Sequence, residues 1–295
     1  MTKESILVTG GEGNIGSEVI RQLSSTRDDL RIVSGVHSIT KKKDMDNRPD
    51  HHDLVRIDYS NPETFVEALK DIDKLFLLTP THSKMVDFTT NLVNGAKGRG
   101  VKHIVKLSHI RADAAEPQIE ITHLHRQAEK VIEDSGIPFT FLRPNFFMQN
   151  FVNFYLGKGQ SSIYLPAGEG KVSFVDVRDI AAVAVQALTD NREGVHNGKA
   201  YTITGPDAIS YRDAAGILSE CLGRQISYVN ISEDDALRLI KEMGMSEWHT
   251  NILLELLRLS RDGYLSNISH AVEEITGRVP ITFSQFAEDY TLAFK

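Results

Sequence analysis

The chain has 295 residues and a formal charge of −7, which argues against a general nucleic-acid binder, because neutralising phosphates takes clustered Lys and Arg. Its 41% hydrophobic and 25% charged residues match an ordinary globular composition, and no apolar run approaches the roughly 18 residues that span a bilayer. The single cysteine, Cys221, excludes an internal disulfide. Together with the absence of a signal-peptide core after "MTKES", it sets the expectation of a cytoplasmic protein without a membrane partner.

In chain order, "SILVTG" reads as a buried strand and "IGSEVIRQLSS" as the helix that follows it. Between them Gly10, Gly13 and Gly16 stand in G-x-x-G-x-x-G spacing, the strand-turn-helix context a dinucleotide fingerprint requires. Gly10 allows the tight turn, Gly13 lets backbone approach a pyrophosphate, and Gly16 lets the helix pack close. The helix N-terminus offers its free N–H groups to the phosphates.

The next strand, "RIVSGV", ends where an NAD site typically places an acidic residue on the ribose 2′-hydroxyl. No carboxylate appears before Asp44; His37, Ser38 and Lys41 to Lys43 stand there instead. That surround accepts a 2′-phosphate, so NADP(H) is favoured over NAD(H), although each lysine reads equally well as part of a solvated turn. His51 and His52, flanked by Asp50 and Asp53, alternate faces on an extended segment, and no metal site is expected.

"DLVRID", "KLFLLTP", "KHIVKLS" and "FTFLRP" continue the strand series. The intervening helices are "NPETFVEALKD", capped by Asn61 with Pro62 in its first turn, "SKMVDFTTNLVNGAKGRG" and "HLHRQAEKVIEDSG". The alternation predicts an α/β, Rossmann-like, doubly wound parallel sheet. Asn145 follows the last of these strands, where its amide can bond a nicotinamide carboxamide or a substrate carbonyl. Phe146, Phe147 and Met148 either line a substrate pocket or pack the next lobe.

"VSFVDVRDIAAVAVQALTD" then reads as a strand and an Ala/Val-rich helix capped by Asp176 and Asp179, with "KAYTITGP" as one more strand. From about Asp207 the pattern turns mostly helical. The expected division is a nucleotide domain at 1–145 with 172–205, and a smaller substrate or lid lobe at 146–171 with 206–295. Cys221 sits among helix-spaced apolar residues and reads as a core residue.

"VTGGEGNIGSEV", "LFLLTP", "GVKHIVKLS", "DSGIPFTFLRPNFFMQN", "VSFVDVRDIAAVA" and "AYTITGP" together resemble the NmrA-like family of atypical short-chain dehydrogenases/reductases. That family includes NAD(P)H-dependent reductases of quinones and of triphenylmethane dyes, as well as dinucleotide-binding regulators without turnover. The resemblance implies that Gly10, Gly13, Asn14 and Ile15 lie along the pyrophosphate and His37 faces the adenosine ribose. It further implies Asp58 at the adenine and Thr79 and Pro80 beneath the nicotinamide ribose.

The resemblance breaks at the proton donor. Alignment through Glu129 puts Ile121 where the family's wider class has its catalytic Tyr and His125 where it has Lys, while Ser108 matches the serine. Ser108 and His125 are therefore the catalytic candidates, the imidazole because it titrates near neutrality. Without the Tyr, alcohol chemistry and sugar epimerisation lose their acid/base. The expected function is hydride transfer from NAD(P)H to a quinone or similar conjugated small-molecule acceptor. The alternative is a non-catalytic NADP(H) redox sensor with a regulatory protein partner; a homodimer is left open.

Overall fold

The computed structural model describes residues 3–27, 29–38, 52–116, 119–192 and 194–295. Lys41 to Lys43, Asp44, Asp50 and His51 lie outside these residues, and so does the side chain of His52. The chain divides into two compact units: the first takes Met1–Ala115, Thr122–Arg143 and Ile180–Tyr201, the second Glu116–Ile121, Pro144–Asp179 and Thr202–Lys295.

Strand β1 (Glu4–Thr9) leads through the glycine turn into α1 (Asn14–Thr26), followed by β2 (Leu30–Val36) and β3 (His52–Arg56). Then come α2 (Thr64–Ala68), β4 (Lys74–Leu77), α3 (Met85–Gly98), β5 (His103–Leu107), α4 (Glu120–Ser135) and β6 (Phe139–Pro144). Helix α2 begins later than expected, because Asn61 Oδ1 accepts the Glu63 N–H at 3.2 Å and spends its side chain on a turn before the helix.

Strands β7 (Ser162–Leu165) and β8 (Lys171–Val172) precede α5 (Val177–Thr189) and β9 (Lys199–Ile203). The described residues form a sheet of seven strands in the order β3-β2-β1-β4-β5-β6-β9. Every registered ladder from β3 to β6 is parallel. Buried strands of this kind read as unbroken apolar runs: Ile6, Leu7, Val8, Leu75, Phe76, Leu77, Ile104 and Val105 have no exposed surface. The strand order reverses between β1 and β4, which opens a crevice at their carboxyl ends, the place where open α/β sheets bind ligands.

The second unit is built from β10 (Ile209–Ser210), α6 (Tyr211–Leu222), β11 (Ser227–Asn230), α7 (Glu233–Glu242) and α8 (Glu247–Arg261), and from α9 (Ala271–Thr276), α10 (Phe283–Asp289) and α11 (Thr291–Phe294). Its small strands pair as β8 with β10 and β7 with β11. "VSFV" is not a full strand, since β8 ends at Val172 and only a bridge from Phe147 to Val175 continues it. Asp176 caps as expected, accepting the Arg178 N–H at 2.8 Å. Asp179 does not: its carboxylate accepts the Ile281 N–H at 2.8 Å, so it ties α5 to the segment before α10. Cys221 is half-buried rather than core, with Sγ 3.6 Å from the Thr291 hydroxyl.

Candidate functional site

Thr9 closes the floor of the crevice. Its hydroxyl donates to Leu78 O at 3.0 Å and accepts the Leu78 N–H at 2.8 Å, tying the end of β1 to the end of β4. The chain then turns at Gly10 with φ +63°, a left-handed conformation that glycine adopts without steric cost. A Cβ on Gly16 would stand 2.2 Å from the Gly10 carbonyl oxygen, so only glycine lets α1 start this close to the turn. Gly11, which the spacing argument passed over, is equally constrained: a Cβ there would meet Ser34 Oγ at 2.1 Å.

Helix α1 begins with Gly13 as its N-cap, without a side-chain cap and without an acidic residue in its first turn. The N–H groups of Asn14, Ile15 and Gly16 are left at the positive end of the helix with no carboxylate of the first turn to meet them. This is a cradle for an anion, and the residues present fit the pyrophosphate of a dinucleotide. A Cβ on Gly13 would approach nothing closer than 3.4 Å, so its role is not one of packing.

The other candidates of the first unit fall just beyond successive strands. His37 follows β2 and is exposed, and Asp58 follows β3. The Asp58 carboxylate accepts the Ser60 N–H at 3.0 Å and pairs with Arg56 at 2.9 Å, and these contacts hold its pKa below the usual range despite some desolvation. Thr79 follows β4, buried, with its hydroxyl 3.3 Å from that of Thr89, and Pro80 is exposed beside it. Sequence spacing alone had separated these residues; the parallel sheet brings their strand ends to one side.

Beyond β5 the structure shows a buried polar network that sequence reasoning caught only in part. Ser108 donates to Glu129 Oε1 at 2.6 Å, and Arg143 grips the same carboxylate through Nε at 2.9 Å and Nη2 at 2.7 Å. Arg126 adds a contact at 3.2 Å, and Arg143 also pairs with Asp113. Glu129 has no exposed surface, so four donor groups on three side chains compensate one desolvated carboxylate. Lys106, also fully buried, lies 3.0 Å from His125 Nδ1. Burial pushes the lysine down to about 7 and holds His125 well below the ordinary histidine range. Lys106 escaped the sequence reading because a lysine inside a strand run reads as an outward-facing residue, and Arg143, before Pro144 at a strand end, reads as a surface charge. Only the partner helix α4 reveals the inward face.

In the second unit, Asn145 is 1% exposed and its amide is already committed. It donates to Ser173 Oγ and Leu265 O at 2.8 Å each and accepts the Phe146 N–H at 2.9 Å, so it fastens its own loop. Phe146 and Met148 are buried as packing residues and Phe147 is half-buried. A cavity of about 650 Å³ opens elsewhere in this unit, lined by Phe154, Tyr155 and Tyr164 on one side and by Leu239, Met243 and His249 on the other. The sequence signalled it only as aromatic residues downstream of the quoted "NFFMQN". Beside it Trp248 donates its indole N–H to Glu120 at 2.7 Å, and its ring meets that of His249 at 4.9 Å. Among the described residues, no group of three or more His, Cys, Asp and Glu could hold a metal, and no helix is long and apolar enough to cross a membrane.

Comparison with known proteins places this geometry. The NAD(P)H azoreductase of Xenophilus azovorans is 37% identical over 290 residues, covering 98% of this chain and 99% of the relative. Quinone oxidoreductase 2 of Escherichia coli is 26% identical over 95% of this chain and 96% of its own length. The crystal structure of the Escherichia coli NADPH-dependent quinone oxidoreductase complexed with NADPH superposes with a TM-score of 0.83, at 26% identity over 96% of this chain and 99% of that one. The triphenylmethane reductase of Citrobacter sp. also gives 0.83, at 25% identity over 98% and 99%. The sequence profile described as the NmrA-like family matches residues 2–286. By that match and by the chain-long 37% identity, the protein belongs to the NmrA-like family.

Proposed function

We propose that this protein is an NAD(P)H-dependent reductase that passes hydride to an electron-poor conjugated acceptor, such as a quinone or an azo compound. The observation that carries the reading is the uncapped glycine turn at the strand-order reversal, in a chain similar end to end to an NAD(P)H azoreductase. Gly10, Gly13, Asn14, Ile15 and Gly16 hold the pyrophosphate; His37, Asp58, Thr79 and Pro80 border the adenosine and the nicotinamide ribose. When bound, the dihydronicotinamide supplies hydride. NADP(H) is the preferred form, because no carboxylate appears between the end of β2 and Asp44 to repel a 2′-phosphate and the exposed imidazole of His37 stands just after the strand. Ile121, buried on α4, cannot serve as an acid, which suits acceptors that take up hydride readily and disfavours alcohol oxidation.

The test is NADPH oxidation, followed at the nicotinamide band against a panel of quinones and azo dyes, with NADH in parallel. Gly13→Asp is the decisive variant: the turn has room for the side chain, but the new carboxylate sits where the helix end awaits an anion. We expect NADPH affinity to fall by about 10-fold or more while the melting temperature changes little, a loss of about 1.4 kcal/mol or more. Unaltered NADPH binding by Gly13→Asp would overturn the assigned cradle. Binding without turnover of any acceptor would favour the redox sensor.

A further inference from the structure

Lys106 is an unusual choice for the middle of a buried strand pair. It has no exposed surface, and its ammonium donates to Leu107 O at 2.9 Å and reaches His125 Nδ1 at 3.0 Å. The carboxylate that could neutralise it, Glu129, is one helical turn from His125 and is taken up by Ser108, Arg143 and Arg126. A protonated lysine has donors only, so His125 Nδ1 must accept, and the single proton of a neutral imidazole then resides on Nε2. The ring of His109 lies 5.8 Å from that of His125, and its Nδ1 is 2.6 Å from the Ile110 carbonyl oxygen. A carbonyl only accepts, so His109 carries its proton on Nδ1 and holds the opposite tautomer. All of these side chains belong to the first unit, at the carboxyl end of β5 and the facing turns of α4.

We propose that Lys106 and His125 form a proton relay that completes reduction of the acceptor, the lysine acting through the imidazole. This rests on the reductase reading given above. Hydride adds to one atom of the acceptor double bond, and the electron pair of that bond moves to the other atom, leaving an anion. His125 Nε2–H breaks and its proton goes to that anion, while His125 Nδ1 takes a proton from the Lys106 ammonium. Solvent then reprotonates Nε2 while the Nδ1 proton returns to the neutral amine, which restores the ammonium and the starting tautomer before the next turnover. The charged and titratable groups facing Lys106 are Glu129 and His125 on α4, Arg143 on β6 and His109 just beyond β5. Burial and Arg143 lower its affinity for the proton and Glu129 raises it, leaving it near 7, where it both gives and regains a proton readily.

Two acceptor classes separate this role from a structural one. A quinone or azo compound needs a hydride and a proton, whereas a triarylmethyl cation needs the hydride alone. In Lys106→Met and in His125→Asn, which keeps an acceptor for the lysine but cannot pass a proton on, the ratio of quinone to cation turnover should fall on the order of 10-fold to 100-fold. In the wild type, quinone turnover should decline as pH rises through about 7, and that limb should vanish in Lys106→Met. Equal losses with both acceptors, or an unchanged ratio, overturn the relay. Nitrogen-15 imidazole spectra of the full chain below pH 7 give an independent readout: His125 should be protonated on Nε2 in the wild type and redistribute toward Nδ1 in Lys106→Met. A His125 protonated on Nδ1 in the wild type overturns the relay whatever the kinetics. A wild type that reduces neither acceptor defeats the reductase reading, and the spectra still judge the lysine-imidazole pair.

Discussion

At the scale of single residues, Glu129 shows how a site can be both rigid and costly. Its carboxylate gathers Ser108 and two guanidinium groups out of water, an arrangement that is favourable only while every partner stays in place. Glu129→Gln keeps the volume and removes the charge, leaving Arg143, itself 8% exposed, with the exposed carboxylate of Asp113 and without its buried anion. We expect a destabilisation of about 3–5 kcal/mol, measured as a shift of the urea midpoint. The glycine spacing was readable from the sequence because it is a local pattern, whereas Ser108 and His125 were singled out only by the resemblance, through alignment at Glu129. Lys106 and Arg143 were not legible, because their partners are 19 and 14 residues away on another element and no local pattern records a pairing between elements. Asn145 misleads for the complementary reason. An amide after a strand looks available for a ligand, and only the tertiary structure shows that Ser173 and Leu265 already hold it.

At the scale of elements, periodicity succeeded where elements are long and buried. The six strands from β1 to β6 and helices α1, α3 and α4 follow apolar runs and helical spacing that tertiary structure did not need to override. Two-residue strands such as β8 and β10 have no periodicity to read, which is why "VSFV" promised more strand than it gives. Helix ends depend on single side chains. At α6, the Ser210 hydroxyl accepts the Asp213 N–H at 3.1 Å and the Asp213 carboxylate accepts the Ser210 N–H at 2.9 Å, a reciprocal cap at a buried serine. Ser210→Ala should lower stability by about 1 kcal/mol, read from the same urea titration, with little change in NADPH affinity.

At the scale of the whole molecule, buried histidines set the acid response. Burial lowers His103 and His109 from 6.5 to about 4 and lowers His125 well below 6.5. As the pH falls from 6.5 to about 4, the unfolded chain takes up protons that these folded sites refuse, so stability declines across that window. Asp179 acts in the opposite sense: burial raises it from 3.8 to about 6, so its unfavourable contribution is relieved as the pH falls between those values. With His196 also lowered by burial, four histidines stand against one carboxyl and the decline is dominant. Thermal melts should show a fall on the order of 10 °C between pH 6.5 and 4.5. A melting temperature that stays flat or rises over this range would contradict the neutral state of the buried imidazoles.

Because the chain has a single tryptophan, its emission has one origin, and Trp248 sits against His249 on the wall of the second unit's apolar cavity. Quinones and azo dyes absorb in the near ultraviolet and quench indole fluorescence on contact or by energy transfer. The protein thus carries its own optical gauge: an aromatic guest brought into contact with the indole would quench it whether or not hydride is transferred.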